Sequence, residues 1–227
     1  MAQTAQVNII ARIRSDFSTK FGIPRQSGLV EELEAAVVFE PEYRNPDALR
    51  GLEGFSHLWL IWEFSQARRE SWSPTVRPPR LGGNRRLGVF ATRSPFRPNP
   101  IGLSCVRLLG VDLHTPEGPV IRVAGADLMD GTPISDLKPY QPYAACKPQA
   151  VGGFASVPKE ASLEVDCPAE LLTLVPEGKR AALLGVLAQD PRPQYQDDPE
   201  RVYGLTYGQR NVKFRVAGDV LTVEDVE

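Results

Sequence analysis

The sequence has few of the residues that bind metals or form disulfide bonds. Among 227 residues there are only three cysteines and two histidines. The cysteines, Cys105, Cys146 and Cys167, are widely spaced and form no CxxC pair. A structural zinc site needs four nitrogen or sulfur ligands at characteristic spacing, so we predict no metal site. The thiols are expected to be idle or buried groups in a reducing cytoplasm.

Long apolar runs are also missing. The longest, from Leu58 to Trp62, has five residues, whereas a membrane-spanning helix needs roughly 18. The first twenty residues lack the charged start, apolar stretch and cleavage site of a secretory signal. We therefore expect a cytoplasmic protein with no membrane partner.

Three common catalytic motifs are absent as well. No GxGxxG follows a strand, so a Rossmann nucleotide site is not supported, and neither a P-loop nor a GxSxG elbow is present. His57 lies between apolar neighbours and is predicted to be a packed core histidine rather than a general base. An enzyme of this sequence would need chemistry that depends largely on positioning.

Proline, by contrast, is abundant and limits the fold class. The 21 prolines are about 9% of the chain, where about 5% is usual. Long proline-free helices are scarce, which disfavours a helix bundle. Alternating or wholly apolar segments predict strands at 7–13, 33–39, 56–64, 87–92, 103–113 and 119–128. Several short strands with turn signals favour a β-barrel or β-sandwich for residues 1–145.

The composition changes near residue 145. Residues 146–158 are rich in glycine, proline and alanine and are predicted to be a linker. Beyond it, residues 159–227 combine helical segments at 168–174 and 179–188 with four strand-like segments. Gly218 and Asp219 are a two-residue hairpin signal between the last two of these strands. We predict a small α+β unit there, which at that size is expected to pack on the first domain.

The net charge of −2 hides a strong segregation. Between residues 68 and 97 there are eight arginines, one glutamate and no lysine, so this arginine-rich window carries +7 and the other 197 residues carry −9. Arginine offers a planar fork of donors that suits phosphate, and the interleaved aromatic side chains can stack unpaired bases. The alternative is a solvated loop whose arginines pair with carboxylates. The window's arginines are Arg68, Arg69, Arg77, Arg80, Arg85, Arg86, Arg93 and Arg97.

A second notable segment is 127–140 (DLMDGTPISDLKPY). It holds three acids within ten residues, Asp127, Asp130 and Asp136, around an Asp-Gly-Thr-Pro turn signal. Loops that follow strands often carry active groups, although most Asp-Gly turns are only turns.

Long segments of the chain resemble the TrmO (TsaA-like, formerly YaeB) family. The segments are 22–28 (GIPRQSG), 50–59 (RGLEGFSHLW), 74–84 (PTVRPPRLGGN), 88–102 (GVFATRSPFRPNPIG), and 130–133 (DGTP) with 136–140 (DLKPY). Residues 187–195 (LAQDPRPQY) are similar to the C-terminal domain of its bacterial members. The resemblance covers almost the whole chain.

The resemblance implies a tRNA methyltransferase. Such enzymes use S-adenosylmethionine to methylate N6 of threonylcarbamoyladenosine, beside the anticodon of threonine tRNA. It also implies a mainly β protein with a single, non-Rossmann β-barrel that binds the cofactor, usually as a homodimer with the site near the subunit interface.

The family motifs also imply which residues bind the cofactor. In some members a histidine precedes the glutamine that corresponds to Gln66, whereas this chain has Ser65 there. The implied contacts are Pro24, Arg25, Gln26, Ser65, Gln66, Arg93, Leu103, Asp130, Gly131, Thr132 and Pro133.

The methylated nitrogen must lose a proton, so a carboxylate is the expected acceptor. Asp127, Asp130 and Asp136 are the candidates; Tyr140 is weaker, because a normal phenol is protonated at neutral pH. We expect the arginines of the window other than Arg93 to bind the phosphates of the anticodon stem-loop.

Three other functions fit the same sequence. One is a non-catalytic RNA-binding barrel, another a methyltransferase acting on a different RNA or small molecule, and the third a protein-interaction module whose proline- and arginine-rich loops form the docking surface.

Overall fold

The computed structural model describes residues 4–155, 163–193 and 198–227, apart from the side chain of Arg80. Six strands of the N-terminal part form a closed antiparallel barrel in the order β1-β2-β7-β6-β3-β8. This confirms the predicted mainly β fold with an N-terminal barrel. The strands of this part are β1 (Ala11–Arg14), β2 (Glu34–Phe39), β3 (His57–Glu63), β4 (Thr75–Val76), β5 (Leu87–Gly88), β6 (Ile101–Thr115), β7 (Gly118–Ala124) and β8 (Pro133–Pro139).

Strand β3 shows how the sequence fills the barrel. Successive side chains of a strand point to opposite faces, and here Leu58, Leu60 and Trp62 point inward and are buried. The side chains of the outward face are only half-buried, although the segment is apolar on both faces. His57 lies on that outward face, where its ring packs edge-on against Tyr140 at 6.2 Å. The prediction of a core histidine was therefore wrong, because the alternation places residue 58 inside and residue 57 outside.

The arginine-rich window is an excursion between two neighbouring barrel strands. β3 and β6 pair directly, and the chain leaves the barrel between them to form the short ribbon β4-β5 and several single turns of 3-10 helix. The predicted strand at 87–92 is only two residues long here. Proline has no backbone N–H to donate, so the proline-rich excursion cannot extend into a regular sheet.

Local signals elsewhere are also visible in the structure. The Asn45 side chain accepts a hydrogen bond from the Asp47 N–H at 3.0 Å and so caps a 3-10 turn at Pro46–Leu49, as asparagine commonly does at the first position of a helix. β1 begins only at Ala11, and Val7, predicted to lie in that strand, is 62% exposed. The other 3-10 turns are 41–43, 52–54, 65–67, 79–81, 89–91 and 153–155.

The C-terminal part forms a separate α+β layer, as predicted. Its sheet has the order β10-β11-β12-β9, with β9 parallel to β12 and the other pairs antiparallel. Gly218 and Asp219 form the predicted two-residue turn between β11 and β12. The elements are α1 (Pro142–Ala145), β9 (Glu164–Asp166), α2 (Ala169–Thr173), α3 (Glu177–Ala188), β10 (Tyr203–Tyr207), β11 (Arg210–Ala217) and β12 (Val220–Val226).

The C-terminal core extends into the loop between β1 and β2. Phe17, Val30 and Leu33 of that loop are buried in the same cluster as α3 and the C-terminal sheet. Phe17 packs edge-on against Tyr207 with ring centroids 5.5 Å apart. Burial of a large apolar side chain contributes about 1.5–3 kcal/mol, so these residues join the two parts.

The domain boundaries remain a prediction. The linker predicted at 146–158 extends into residues 156–162, which lie outside the described part of the chain. The division into 1–145, 146–158 and 159–227 is therefore our working proposal.

Candidate active site

A cavity of about 920 Å³ opens where the excursion leaves the barrel. The end of β3, the start of β6, the loop before residue 27 and the loop after β7 all contribute to its wall. Trp62, Phe64 and Leu103 provide apolar surface. Cavities of this size with apolar walls and a few convergent polar groups are typical of small-molecule sites.

A hydrogen-bonded chain of three side chains connects two residues of the cavity wall, Trp62 and Asp127, through the buried Ser104. The Trp62 Nε1–H donates to Ser104 Oγ at 2.9 Å, and the Ser104 hydroxyl donates to Asp127 Oδ1 at 2.5 Å. Ser104 is 1% exposed, so both of its hydrogen bonds are made away from bulk water. Such a satisfied buried network fixes the carboxylate in one orientation.

A glycine makes this arrangement possible. Gly102 pairs with Trp62 across β3 and β6. A Cβ atom at residue 102 would lie 2.3 Å from Trp62 Cε2, closer than any side chain tolerates. The absence of a side chain at Gly102 therefore lets the indole lie against β6 and reach Ser104.

Asp127 is the titratable group that the cavity perturbs. Burial raises the pKa of its carboxyl above the usual range, while the Ser104 hydrogen bond and the positive charge of Arg93 oppose that rise. Among the described residues it has no ion-pair partner. A carboxyl with a raised pKa that faces a cavity is a candidate acid–base group.

Arg93 connects several of the predicted cofactor residues. Its guanidinium donates to the side-chain oxygen of Gln26 and, at 3.4 Å, to the carbonyl oxygen of Leu103. Gln66, on the far side of the cavity, donates to Met129 Sδ at 3.6 Å. Side chains from four separate segments therefore converge on one space.

The structure brings most of the predicted cofactor residues together. Those that line the cavity are Pro24, Arg25, Gln26, Ser65, Gln66, Arg93, Leu103 and Thr132. Asp130, Gly131 and Pro133 are not among its lining residues. Asp130 is exposed and accepts a hydrogen bond from the Ser15 N–H at 3.1 Å.

The three candidate acids are thus separated. Only Asp127 lines the cavity. Asp136 lies on β8 opposite Ile61 and forms an ion pair with Lys138 at 2.9 Å. Neither Asp130 nor Asp136 reaches the cavity wall in this structure.

Sequence reasoning did not identify Trp62 and Ser104 as site residues. The available signal was the alternation of β6, which predicts an inward side chain at Ser104, two residues from the buried Val106. A polar side chain at a core position needs a partner, but that partner is 23 residues away in sequence.

A second cavity of about 830 Å³ adjoins the first. The two share part of their wall, including Gln26, Arg93, Phe96 and Arg97. Five arginines and one glutamate line the second cavity. The arginines are Arg69, Arg77, Arg86, Arg93 and Arg97, and the acid is Glu70.

The predicted nucleic-acid residues are distributed around these cavities. Arg68 forms an ion pair with Glu63, which agrees with the alternative of a solvated loop whose arginines pair with carboxylates. Among the other described side chains of the window, none pairs with a carboxylate, which favours a surface that binds an external anion. Arg85 is exposed and lines neither cavity, and the side chain of Arg80 lies outside the described part.

Potential metal ligands are not clustered in the part of the chain that the structure describes. There, no three or more histidine, cysteine or acidic side chains are grouped so as to hold a metal ion. Across the same ranges, no helix is long and apolar enough to cross a membrane.

Comparison with known proteins adds the family. Residues 12–146 match the model of the tRNA-methyltransferase O N-terminal domain, and residues 161–227 match the TrmO C-terminal domain. The chain is 45% identical over 219 residues to the tRNA (adenine(37)-N6)-methyltransferase of Escherichia coli, covering 93% of each. It is 42% identical to a Pseudomonas aeruginosa protein named "Putative S-adenosylmethionine-dependent methyltransferase RcsF", covering 98% of each.

A solved structure agrees in fold over the whole chain. The crystal structure of TrmO from Pseudomonas aeruginosa superposes with a TM-score of 0.81 at 35% identity, covering 100% of this chain and 98% of that one. With both family models matched along most of its length, this chain belongs to the tRNA-methyltransferase O family.

Proposed function

We propose that the protein methylates N6 of threonylcarbamoyladenosine, next to the anticodon of threonine tRNA, with S-adenosylmethionine as the methyl donor. The observation that carries this proposal is the oriented Asp127 carboxylate in the wall of the larger cavity, facing the residues that family resemblance assigns to the cofactor.

The larger cavity suits S-adenosylmethionine in its donor set. Lys20, Arg25 and Arg93 could bind a carboxylate, and the apolar wall could pack against a purine. Asp127 offers a negative charge to a cationic group. When bound, the cofactor supplies a methyl group already activated by a positively charged sulfur.

The work left to the chain is positioning and proton removal. Holding a reacting nitrogen in line with an activated group can supply about 7–11 kcal/mol. Methylation would replace the one proton on the reacting nitrogen, so the chain must provide a group that accepts this proton. Asp127 is placed to accept it, because Ser104 holds the carboxylate oriented and the cavity shields it.

The arginine-rich window is the proposed tRNA surface. Replacing Arg85 and Arg86 with Ala is expected to weaken tRNA binding and to flatten its salt dependence, by about 0.7–0.9 in the log–log slope for each phosphate that no longer binds a guanidinium. Affinity measured at several salt concentrations tests this. The double variant Arg12→Ala with Arg50→Ala removes equal charge outside the window and should keep the wild-type slope. An unchanged slope in the first variant would show that this part of the window is not the tRNA surface.

Cofactor binding separates the proposal from a non-catalytic RNA-binding barrel. A titration of the protein with S-adenosylmethionine should show one saturable site per chain. No detectable binding would favour the non-catalytic barrel. Binding of tRNA that stays intact when polyanions are added as competitors would argue against a protein-interaction module.

Two finer expectations stay proposals. A homodimer is supported by Ile101 and Leu103, which are 52% and 46% exposed at the rim of the larger cavity and would be covered by a partner. A cytoplasmic location is proposed because a tRNA substrate is found there.

A further inference from the structure

The second cavity has a charge that the methyl-transfer chemistry alone does not require. Its lining contains five arginines and a single acid. Methyl transfer to a neutral nitrogen needs one proton acceptor and no anion site. The excess of guanidinium groups beside the transfer site therefore indicates an anionic group on the ligand.

Arg69 is the best-oriented of these arginines. Its guanidinium carbon lies 3.8 Å from the centroid of the Phe96 ring, a cation–π contact that holds the guanidinium over the ring. Stacking uses the face of a guanidinium and leaves its in-plane N–H donors available. Among the described residues, no carboxylate pairs with Arg69 and no acceptor takes its N–H groups.

Three other arginines of the cavity already donate hydrogen bonds within the chain. Arg86 donates to Thr75 Oγ1 at 3.4 Å. Arg93 donates to Gln26 and to the Leu103 carbonyl. Arg97 donates to the Thr92 carbonyl oxygen at 3.2 Å and lies 6.0 Å from the Phe90 ring centroid. Their donors hold the loop, whereas those of Arg69 face a cavity without such a partner.

The position of Arg69 also limits which anionic group of the RNA it can bind. Phe96, on which it stacks, lines both cavities. An anion bound there would be only a short distance from a base whose N6 enters the larger cavity. Backbone phosphates are separated from N6 by the whole nucleoside, whereas the carboxylate of a threonylcarbamoyl group is attached a few bonds from N6.

We infer that the arginine-lined cavity binds the carboxylate carried by the target base, with Arg69 as its bidentate partner, which makes Arg69 a specificity-determining residue for the proposed substrate. This inference rests on the proposed function. It assigns specificity to Arg69, a residue outside the cofactor cavity.

The test uses two anticodon stem-loop RNAs that differ in one group. One carries the threonylcarbamoyl base, and in the other a carboxamide replaces its carboxylate, so phosphates are identical. The wild-type protein should bind the carboxylate RNA about 10- to 100-fold more tightly without any cofactor, because the carboxamide leaves the guanidinium unpaired. The same preference should appear in kcat/KM for methyl transfer.

Variants then identify the residue. Arg69→Gln should bind the two RNAs alike, while Arg69→Lys, which keeps the charge but loses the planar fork, should keep a reduced preference. Arg85→Gln, in the same window but outside both cavities, should weaken the binding of both RNAs by the same factor and so leave the preference unchanged. All variants should retain the S-adenosylmethionine affinity of the wild type, which confirms their fold.

Other outcomes overturn the inference in distinguishable ways. If the wild type binds and methylates both RNAs equally, the protein does not recognise the carboxylate, although the proposed function stands. If Arg69→Gln weakens both RNAs equally, Arg69 contacts a phosphate instead. If neither RNA is methylated at saturating cofactor, the proposed function fails together with the inference.

Discussion

Replacing Asp127 with Asn is expected to lower kcat for methyl transfer by about 10²- to 10⁴-fold, the usual contribution of a positioned acid–base group. The amide keeps the shape and can still accept from Ser104, but it cannot take the proton from the reacting nitrogen. Single-turnover kinetics with saturating S-adenosylmethionine and tRNA measure the effect directly. Fold should be retained, because burial penalises the ionised carboxyl and Asn removes that penalty at neutral pH.

The pH profile gives the same assignment an independent test. A base works only when ionised, so kcat should fall as pH drops through the pKa of Asp127. Since burial raises that pKa, the acid limb should lie above the ordinary aspartate range near 3.9. This limb should be missing in Asp127→Asn.

Matched variants separate Asp127 from the other acids. Asp112→Asn, which breaks an exposed ion pair with Arg122, should leave kcat within about threefold, as expected for an exposed pair. If instead Asp136→Asn or Asp130→Asn abolishes turnover while Asp127→Asn does not, the assignment of the base to Asp127 is wrong.

Replacing Arg93 with Ala is expected to weaken S-adenosylmethionine binding by about 10- to 100-fold, which corresponds to about 1.4–2.8 kcal/mol. The substitution removes a positive charge from the cavity and releases Gln26, whose side chain Arg93 holds. It also removes the donor to the Leu103 carbonyl. Isothermal titration calorimetry measures the affinity.

A second effect of this variant concerns Asp127. The positive charge of Arg93 lowers the pKa of that carboxyl, so its removal should move the acid limb of kcat to higher pH. Arg93→Lys keeps the charge but not the planar fork, and should shift the limb less while still weakening binding. Unchanged affinity and an unchanged limb in Arg93→Ala would remove Arg93 from the site.

The parts of the fold that local physics dictates were predictable. The cap at Asn45 and the turn at Gly218–Asp219 are short-range signals, and the structure contains both. The strand-rich class followed from period-two patterns and from proline, and it was confirmed. Closure of six strands into one barrel depends on pairs such as β1 with β8, which are distant in sequence. The sequence patterns therefore could not distinguish a barrel from a sandwich. Family resemblance decided between them.

The site was less predictable for the same reason. Asp127 could be proposed as an acid beside a turn, but three acids in one segment were equivalent by sequence. What distinguishes Asp127 is its hydrogen bond to Ser104, and that depends on how β6 pairs with β7, the strand that Asp127 follows. The shared wall of the two cavities likewise arises where the excursion folds back against the barrel.

The charge pattern carried more information than the net charge. A total of −2 gives no indication of an anionic partner, whereas the segregated window does. The structure shows that most of its described arginines lack carboxylate partners, with Arg68 the exception. A local excess of unpaired guanidinium groups is therefore the physical basis for the proposed tRNA surface.

The most direct test of the central claim is mass spectrometry of the nucleosides of threonine tRNA after incubation with the protein and S-adenosylmethionine. The proposal predicts a gain of one methyl group on the threonylcarbamoyl nucleoside, absent without cofactor and strongly reduced with Asp127→Asn. If the threonylcarbamoylated tRNA gains no methyl group while the protein is folded and cofactor is saturating, the proposed function is contradicted.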